Sequence, residues 1–478
     1  KDDGAARPVV TLRKAKGAMP GYASFTALRM TTRLALTVLC LPGLAQAQVR
    51  PPAKPVVAQT DRCTFQIDNV DRQGSVVETR AGTNYFAGGN VRLSCRGMQI
   101  SMQSDSVAAY AGNIVHFIGN VKYRDSTLSM DADRGIYYKS GEKWEARGRV
   151  NTQNLNTGST LVGPALDYYR AVRGVRDTLE MYATGRPRIQ YATGDSAGRP
   201  AEPYVIVADR VRFKGSDRIW AGGKVTIDRS DFAARSDSLR LDTGLLSDGT
   251  LLGGNPTVRG LGPDSFNIQG NRIDLKLEGR ALTYLLAKGN GHAVSQEWDL
   301  VADTIALDVN NRKLEQTLAW GDKTRPFANS PAHAMRADSL ALDTPGQRLK
   351  EVRGFGKAWL GGTVDSTVKD RDWMRGDTVV AQFSASDSAG TSRTVLSRIE
   401  ARNGAQSYHL DPNARFPSLP SINYARGDVI VVTMKQGATR GVERVDIRGK
   451  VDGIQLEASA DTAAQSPDSL GGDSKGSP

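Results

Sequence analysis

The sequence DSLRLD at residues 237–242 recurs as DTIALD at 303–308 and as DSLALD at 338–343. Weaker copies also open on an acidic or amide residue followed by a short alternation, and they begin at Asp105, Asp133, Asp209, Asn271, Asp377 and Asp428. Where the spacing is cleanest, successive copies start 28 residues apart (105 to 133, 209 to 237) or 32 to 35 residues apart (271 to 303, 303 to 338). A repeat of this length is typical of arrays in which each unit buries its apolar face against its neighbours.

A second recurring pattern opens on glycine and continues as a strand. It reads GNVRL at 89–93, GNVKY at 119–123, GRV at 148–150 and GKVTI at 223–227. Alternate residues of a strand point to opposite faces, so these copies have one apolar and one polar face. We expect the repeated aspartates to form Asx-turns and the glycines to supply positive φ where the chain turns. The 50 glycines and the aromatic content of only 6% also favour short strands and tight turns, and the prediction is all-β.

The N-terminal region has the pattern of an export signal. Met30 and Arg33 precede an apolar run at 34–44 and an Ala-Gln-Ala cleavage site at 45–47. The run is too short to span a bilayer, which needs about 20 residues. We therefore interpret 1–29 as an upstream segment that is not native, 30–47 as a signal peptide and 48–60 as a Pro-rich linker. The prediction is an exported protein of the periplasm, with association with the outer membrane as a further expectation.

The net charge indicates an anionic partner. Residues 1–47 carry seven Lys/Arg and two Asp, so their removal lowers the formal charge from +12 to +7. A moderate basic excess favours phosphorylated lipids or polyanionic glycans. Nucleic acid is not expected, because the basic residues are scattered and no recognition motif is present.

Composition also suggests where the array is divided. The polar, Gly- and Pro-containing stretch at 192–203 separates a first module at 61–190 from a second, extended one at 204–456. Residues 457–478 are Ser-, Asp- and Gly-rich with almost no large apolar residue, and we expect them to be disordered.

Cys63 and Cys95 are the two cysteines of the exported chain. An oxidising compartment permits a disulfide between them, and unpaired thiols on separate strands are the alternative.

Motifs for catalysis and metal binding lack their required context. Ser196 in GDSAG has no helix pattern after it, and Asp242 in LDTG occupies a turn position of the repeat. The four histidines fall in different units, so no metal site is expected. We predict a protein that is not an enzyme and has no cofactor, with a hydrolase using Ser196 or Asp242 as the weakest hypothesis.

The combination of an export signal, Gly-Asn-Val strands and Asp-Ser/Ala-Asp strands resembles the OstA-like (organic solvent tolerance A) family. Its members include the periplasmic lipopolysaccharide-transport bridge and the N-terminal domain of the outer-membrane lipopolysaccharide-assembly protein. The similarity lies in residues 86–150 and 208–241, about a third of the exported chain. The motifs are turn and strand patterns, so they are moderately specific.

The resemblance implies a repetitive antiparallel β-jellyroll, with two sheets in an open V that holds acyl chains. It also implies three partners: lipopolysaccharide or another anionic glycolipid, other jellyroll proteins or a second copy joined through edge strands, and an outer-membrane assembly protein. The chain is longer than a minimal bridge module, so two or more modules are expected to be fused. The residues expected to line the groove are Val107, Phe117, Val121, Tyr123, Met130, Ile136, Tyr138, Val211, Phe213, Val225, Ile227, Leu239 and Leu241.

Parity along a strand identifies the apolar face but leaves open whether that face is a groove or a closed core. An exported structural or adhesive β-solenoid with a closed core is therefore the alternative. Phe213→Asp distinguishes the two, because it would abolish lipid capture in an open groove but unfold a closed core.

Overall fold

The computed structural model describes residues 62–194, 200–244, 248–261, 265–278, 281–310, 313–362, 372–388, 391–411, 420–435 and 441–457. The segments at 1–29, 30–47 and 48–60, Ser196 and the tail at 458–478 lie outside the described residues. The described residues confirm the all-β repetitive fold, with one 3-10 turn at Pro345–Gln347. Their strands are β1 Phe65–Asn69, β2 Arg72–Thr79, β3 Gly82–Cys95, β4 Ser101–Tyr110, β5 Ile114–Arg124, β6 Leu128–Tyr138, β7 Lys143–Asn154, β8 Thr160–Tyr169, β9 Glu180–Thr184, β10 Arg188–Gly194, β11 Pro200–Val207, β12 Arg210–Lys214, β13 Arg218–Arg229, β14 Phe232–Asp242, β15 Asp248–Leu252, β16 Thr257–Gly260, β17 Phe266–Gln269, β18 Arg272–Glu278, β19 Ala281–Val294, β20 Asp299–Asn310, β21 Lys313–Trp320, β22 Phe327–Asn329, β23 His333–Arg336, β24 Ser339–Asp343, β25 Glu351–Gly362, β26 Trp373–Ser388, β27 Thr391–Asp411, β28 Ser421–Met434, β29 Val442–Arg448 and β30 Asp452–Leu456.

The longer strands bend once and contribute one half to each of two ladders. In β5, the register with β6 is interrupted between Ile118 and Val121, at Gly119-Asn120. Residues 114–118 therefore pair in one ladder and 121–124 in the other. Each shorter strand lies wholly in one ladder. In these parts of the chain, the bend falls between two consecutive strands.

We call the two ladders sheet 1 and sheet 2. Every pairing in both is antiparallel, and each ladder follows chain order. Sheet 1 runs through β1, β3–β8, β10, β11, β13, β14, β16, β17, β19, β20, β22, β23, β25–β28 and β30. Sheet 2 runs through β2–β9, β12–β15, β18–β21, β24–β28 and β29.

The bends form a line of corners that joins the two sheets along one side. In the long strands that carry the glycine motif, the corner is a β-bulge whose glycine has positive φ, as at Gly119 (φ 76°) and Gly223 (φ 82°). The repeated aspartates lie opposite these bulges and act across the strand pair: Asp133 Oδ2 accepts from the N–H of Arg149 at 3.0 Å, beside Gly148. They are therefore corner residues, as predicted, but through cross-strand contacts instead of the expected Asx-turns.

The apolar side chains of both sheets meet in one continuous core. Val150, Leu166, Leu251, Ile268 and Ile273 are completely buried in it. The core also crosses the predicted module boundary, because β10 pairs with β8 on one side and with β11 on the other. The division into modules at 61–190 and 204–456 stays a prediction.

The corner changes the phase of the alternation on strands that carry the repeated aspartate. It preserves the phase on the bulged strands, such as β5, where Phe117 and Val121 are both buried. In β6, Met130 and Ala132 are buried before the corner, and Tyr137 is buried after it. Ile136 and Tyr138 are only half-buried and lie outside the core cluster. The strict alternation assumed from the sequence therefore assigns these two residues to the wrong face.

Candidate functional site

The side of the sandwich opposite the corners, where hairpin tips of the two sheets approach each other, is called the mouth. A buried polar cluster closes it at the first strands. Glu142, in the β6–β7 turn of sheet 2, accepts from the N–H of Cys63 at 2.9 Å, beside β1 of sheet 1. The same carboxylate binds the Tyr137 hydroxyl and the Arg170 guanidinium, the latter at 2.6 Å. Burial opposes the charge of Arg170, but the hydrogen bond to Glu142 raises the pKa of Arg170 above its usual value.

A second buried carboxylate joins the sheets nearby. Asp125, at the β5–β6 tip of sheet 1, accepts from the hydroxyls of Tyr123 and Tyr168, each at 2.8 Å. Tyr168 belongs to sheet 2, so this contact also spans the mouth. Burial, together with the nearby carboxylate, raises the pKa of both tyrosines well above the usual value. These side chains remain neutral and act as hydrogen-bond donors.

Two further contacts cross the mouth in the later strands. The Tyr191 hydroxyl lies 2.8 Å from Thr243 Oγ1. Glu297, in the tip between β19 and β20, accepts from the N–H of Leu349 at 2.6 Å and from the hydroxyl of Thr394. Polar contacts therefore hold the mouth together at intervals.

An apolar cleft lies between these two contacts, and we call it the mouth cleft. It has about 500 Å³ of empty space including its opening, of which about 40 Å³ is accessible to the centre of a water molecule. Side chains of both sheets line it: Tyr191, Tyr204, Ile206, Ile227, Phe232, Leu239, Leu241, Leu275, Leu277 and Leu282. A smaller apolar space, with about 330 Å³ of empty space including its opening, lies beyond Glu297, around Trp298 and Phe383.

The edge of the mouth cleft carries a basic residue that is already paired. Arg229 lies 4.2 Å from the centre of the Tyr204 ring and forms an ion pair with Asp231 at 2.5 Å. Burial opposes its charge, and the hydrogen bond to Asp231 raises the pKa of Arg229. A phosphate at this position would therefore compete with Asp231 for the guanidinium.

The thirteen predicted lining residues are spread along the core instead of being gathered in one site. Ile227, Leu239 and Leu241 line the mouth cleft. Seven others also belong to the core but lie outside the cleft: Val107, Phe117, Val121, Tyr123, Met130, Val211 and Val225. Phe213 is half-buried and packs against the core, and Ile136 and Tyr138 are half-buried outside it.

The sequence interpretation missed most of the cleft. Leu277 and Leu282 form the lip of the cleft at the tip of the β18–β19 hairpin, beyond the weak copy that begins at Asn271. Tyr204 and Phe232 pack edge to face with ring centres 5.9 Å apart.

The cysteines and the catalytic candidate Asp242 have structural partners. Cys63 and Cys95 form a disulfide with a Cα–Cα distance of 5.1 Å. The Asp242 carboxylate accepts from the N–H of Gly244 at 3.0 Å, which is the turn contact expected for it. Among the residues that the structure describes, no group of His, Cys, Asp and Glu could hold a metal ion, and no helix is long and apolar enough to cross a bilayer.

Comparison of the chain with protein-family models and with characterised proteins finds no match. The OstA-like resemblance therefore contributes to the proposal below and does not establish a family.

Proposed function

We propose that the chain is a non-enzymatic, exported lipid-carrying array that acts in the periplasm or beside the outer membrane. Its cargo would be lipopolysaccharide or another anionic glycolipid, delivered to an outer-membrane assembly protein. The mouth cleft is the observation that carries this proposal, because it is an apolar opening between the two sheets. The OstA-like motifs at 86–150 and 208–241 support the same class of cargo.

Acyl chains match the chemistry of the cleft. Burial of an acyl chain contributes about 0.8 kcal/mol per CH₂, so a chain of about a dozen carbons contributes on the order of 10 kcal/mol before entropy losses. Ligand pockets usually enclose about 300–1,000 Å³. Since little of the present cleft is enclosed, the lips at Leu277 and Leu282 would have to separate to admit a chain.

A closed structural solenoid is the second candidate, and the core favours it. Residues along the array, including Leu251 and Ile268, are completely buried without any ligand. Such a core stabilises the fold by itself and needs no cargo. The two candidates differ in whether the lips open.

Leu282→Asn is expected to weaken glycolipid capture about tenfold or more. It removes an apolar lip side chain, whose burial is worth about 1.5–3 kcal/mol. Leu286→Asn is the matched control, because Leu286 is half-buried on the same strand but points outward between Leu285 and Ala287, both fully buried. Native mass spectrometry with added lipid A, a phosphorylated acylated disaccharide, measures the fraction bound. Equal capture by both variants, or none by the parent protein, would favour the closed solenoid.

The ends of the array support a partnership through edge strands. β1 and β2 at one end, and β29 and β30 at the other, each have one unpaired side among the described strands. Apolar side chains are exposed there, with Ile67 63% and Ile454 60% accessible. Unpaired edges of this kind can add strands from another chain. We propose that a second copy or another jellyroll protein pairs with them.

Self-association should therefore increase with concentration in the parent protein. Replacing Val445 and Ile454 by lysine places charges on both C-terminal edge strands, which blocks strand addition. We expect the sedimentation coefficient of the parent to rise with concentration and that of the double variant to stay constant. A parent that remains monomeric at every concentration tested would contradict self-pairing.

A further inference from the structure

An aromatic row lies on the outer face of sheet 1, on the opposite side of that sheet from the core. Trp373 on β26 is in register with Tyr408 on β27, which is in register with Tyr424 on β28. The neighbouring residues Met374 and Ala405 are buried, so the row points outward. All three rings are half-buried and remain accessible to solvent.

The three rings contact one another and form one aromatic cluster. The planes of Trp373 and Tyr408 are within 6° of parallel, with centres 5.9 Å apart. The Tyr424 ring is tilted by 60° and its centre is 6.4 Å from that of Trp373. The parallel Trp373 and Tyr408 rings therefore stack on each other, and Tyr424 extends the aromatic surface.

A cation is held beside this row without a carboxylate partner among the described residues. The Arg375 guanidinium lies 5.2 Å from the centre of the Trp373 ring. Its Nε and Nη2 donate to Gln406 Oε1 at 3.0 and 2.6 Å, and the Tyr424 hydroxyl donates to the same oxygen at 3.1 Å. Gln406 is neutral, so it positions the guanidinium and leaves its charge uncompensated.

The neighbouring cation on this face is neutralised. Arg426, which is in register with Gln406, forms an ion pair with Asp452 at 2.6 Å. The row therefore offers one uncompensated positive charge at one end of an aromatic surface. A ligand with a single negative charge on a ring with an apolar face is complementary to it.

We propose that Trp373, Tyr408, Tyr424 and Arg375 bind an acidic saccharide. The C–H face of a sugar ring lies against the aromatic rings, and its carboxylate accepts a charge-assisted hydrogen bond from Arg375. Single-stranded nucleic acid is less well matched, since it needs a basic groove that follows several phosphates. The site lies outside the sandwich and does not depend on lipid binding in the mouth cleft.

Oligogalacturonate, a chain of uronic acids, is the probe, and isothermal titration calorimetry on the full chain measures its binding. We expect Trp373→Ala and Arg375→Gln each to weaken binding about tenfold or more, and the affinity of the parent to fall as salt is added. Trp320→Ala is the matched control, because Trp320 is 41% exposed at the end of a sheet 2 strand. It should bind like the parent protein.

The proposal would be overturned by no binding to the parent, by an equal loss in the Trp320 variant, or by equally tight binding of a neutral oligosaccharide. Tighter binding of an oligothymidylate than of oligogalacturonate would also overturn it, in favour of a nucleic-acid surface. Thermal unfolding of each variant checks that the strands remain folded. If Trp373→Ala unfolds, Arg375→Gln alone decides the outcome, because its side chain is exposed.

Discussion

Glu142→Ala is expected to reduce the free energy of opening of the first strands by about 3–5 kcal/mol, the usual cost of removing one partner of a buried ion pair. The carboxylate is completely buried, and its removal leaves the Arg170 charge without its partner at 2.6 Å. The Cys63 N–H and the Tyr137 hydroxyl lose their acceptor at the same time. Each unsatisfied buried donor adds to the cost.

Native-state hydrogen exchange is the suitable measurement, since a long repeat array need not unfold in one step. We expect lost protection in β1 to β9 and little change in β19 to β28. Glu145→Ala is the control, because Glu145 forms partly exposed ion pairs with Lys143 and Arg147 that are worth about 0–1 kcal/mol. Similar effects of the two substitutions would show that the Glu142 cluster does not hold the mouth closed.

Gly223→Val should destabilise the array by at least about 2 kcal/mol. Gly223 has φ 82°, and a non-glycine residue held in a sparsely populated backbone region costs about 1–3 kcal/mol. An added Cβ would also lie 2.8 Å from the Cβ of Asp209, which lies at the bend between β11 and β12. The corner would have to move, and with it the angle between the sheets.

Gly222→Val is the control for this corner. Gly222 lies outside the positive-φ region, and its added Cβ would meet only the flexible end of Arg210 at 3.3 Å. Urea denaturation of the two variants, followed by tryptophan fluorescence, compares their stabilities. If both are equally stable, the positive φ at the corner is not a requirement of the fold.

The repeat predicted the fold class and the position of the corners because both depend on local sequence. A bulge needs a residue that tolerates positive φ, so Gly89, Gly119, Gly148 and Gly223 mark four corners directly. Strand alternation likewise placed Val121 and Tyr123 in the core. The same alternation failed at Ile136 and Tyr138, because it was carried through the corner of a strand that bears the repeated aspartate, where the phase changes.

The candidate site was only partly predictable, and the reason is sequence distance. Ile227, Leu239 and Leu241 lie within clear copies of the repeated motifs and were identified. Leu277 and Leu282 lie at the hairpin tip after the weak copy that begins at Asn271, and Tyr204 lies before the copy that begins at Asp209. The cleft forms where hairpin tips of two sheets approach each other. Strand periodicity carries no information on that approach.

By itself, the sequence determined the all-β class, the antiparallel array, the corner glycines and aspartates, and most of the core face, since each follows from neighbours within about one repeat. Only the tertiary structure decided where the mouth is closed and where it opens. The bond from Cys63 to Glu142 joins residues 79 positions apart, and Glu297 and Thr394 are 97 apart. Contacts of this range depend on how both sheets stack, so no local pattern specifies them.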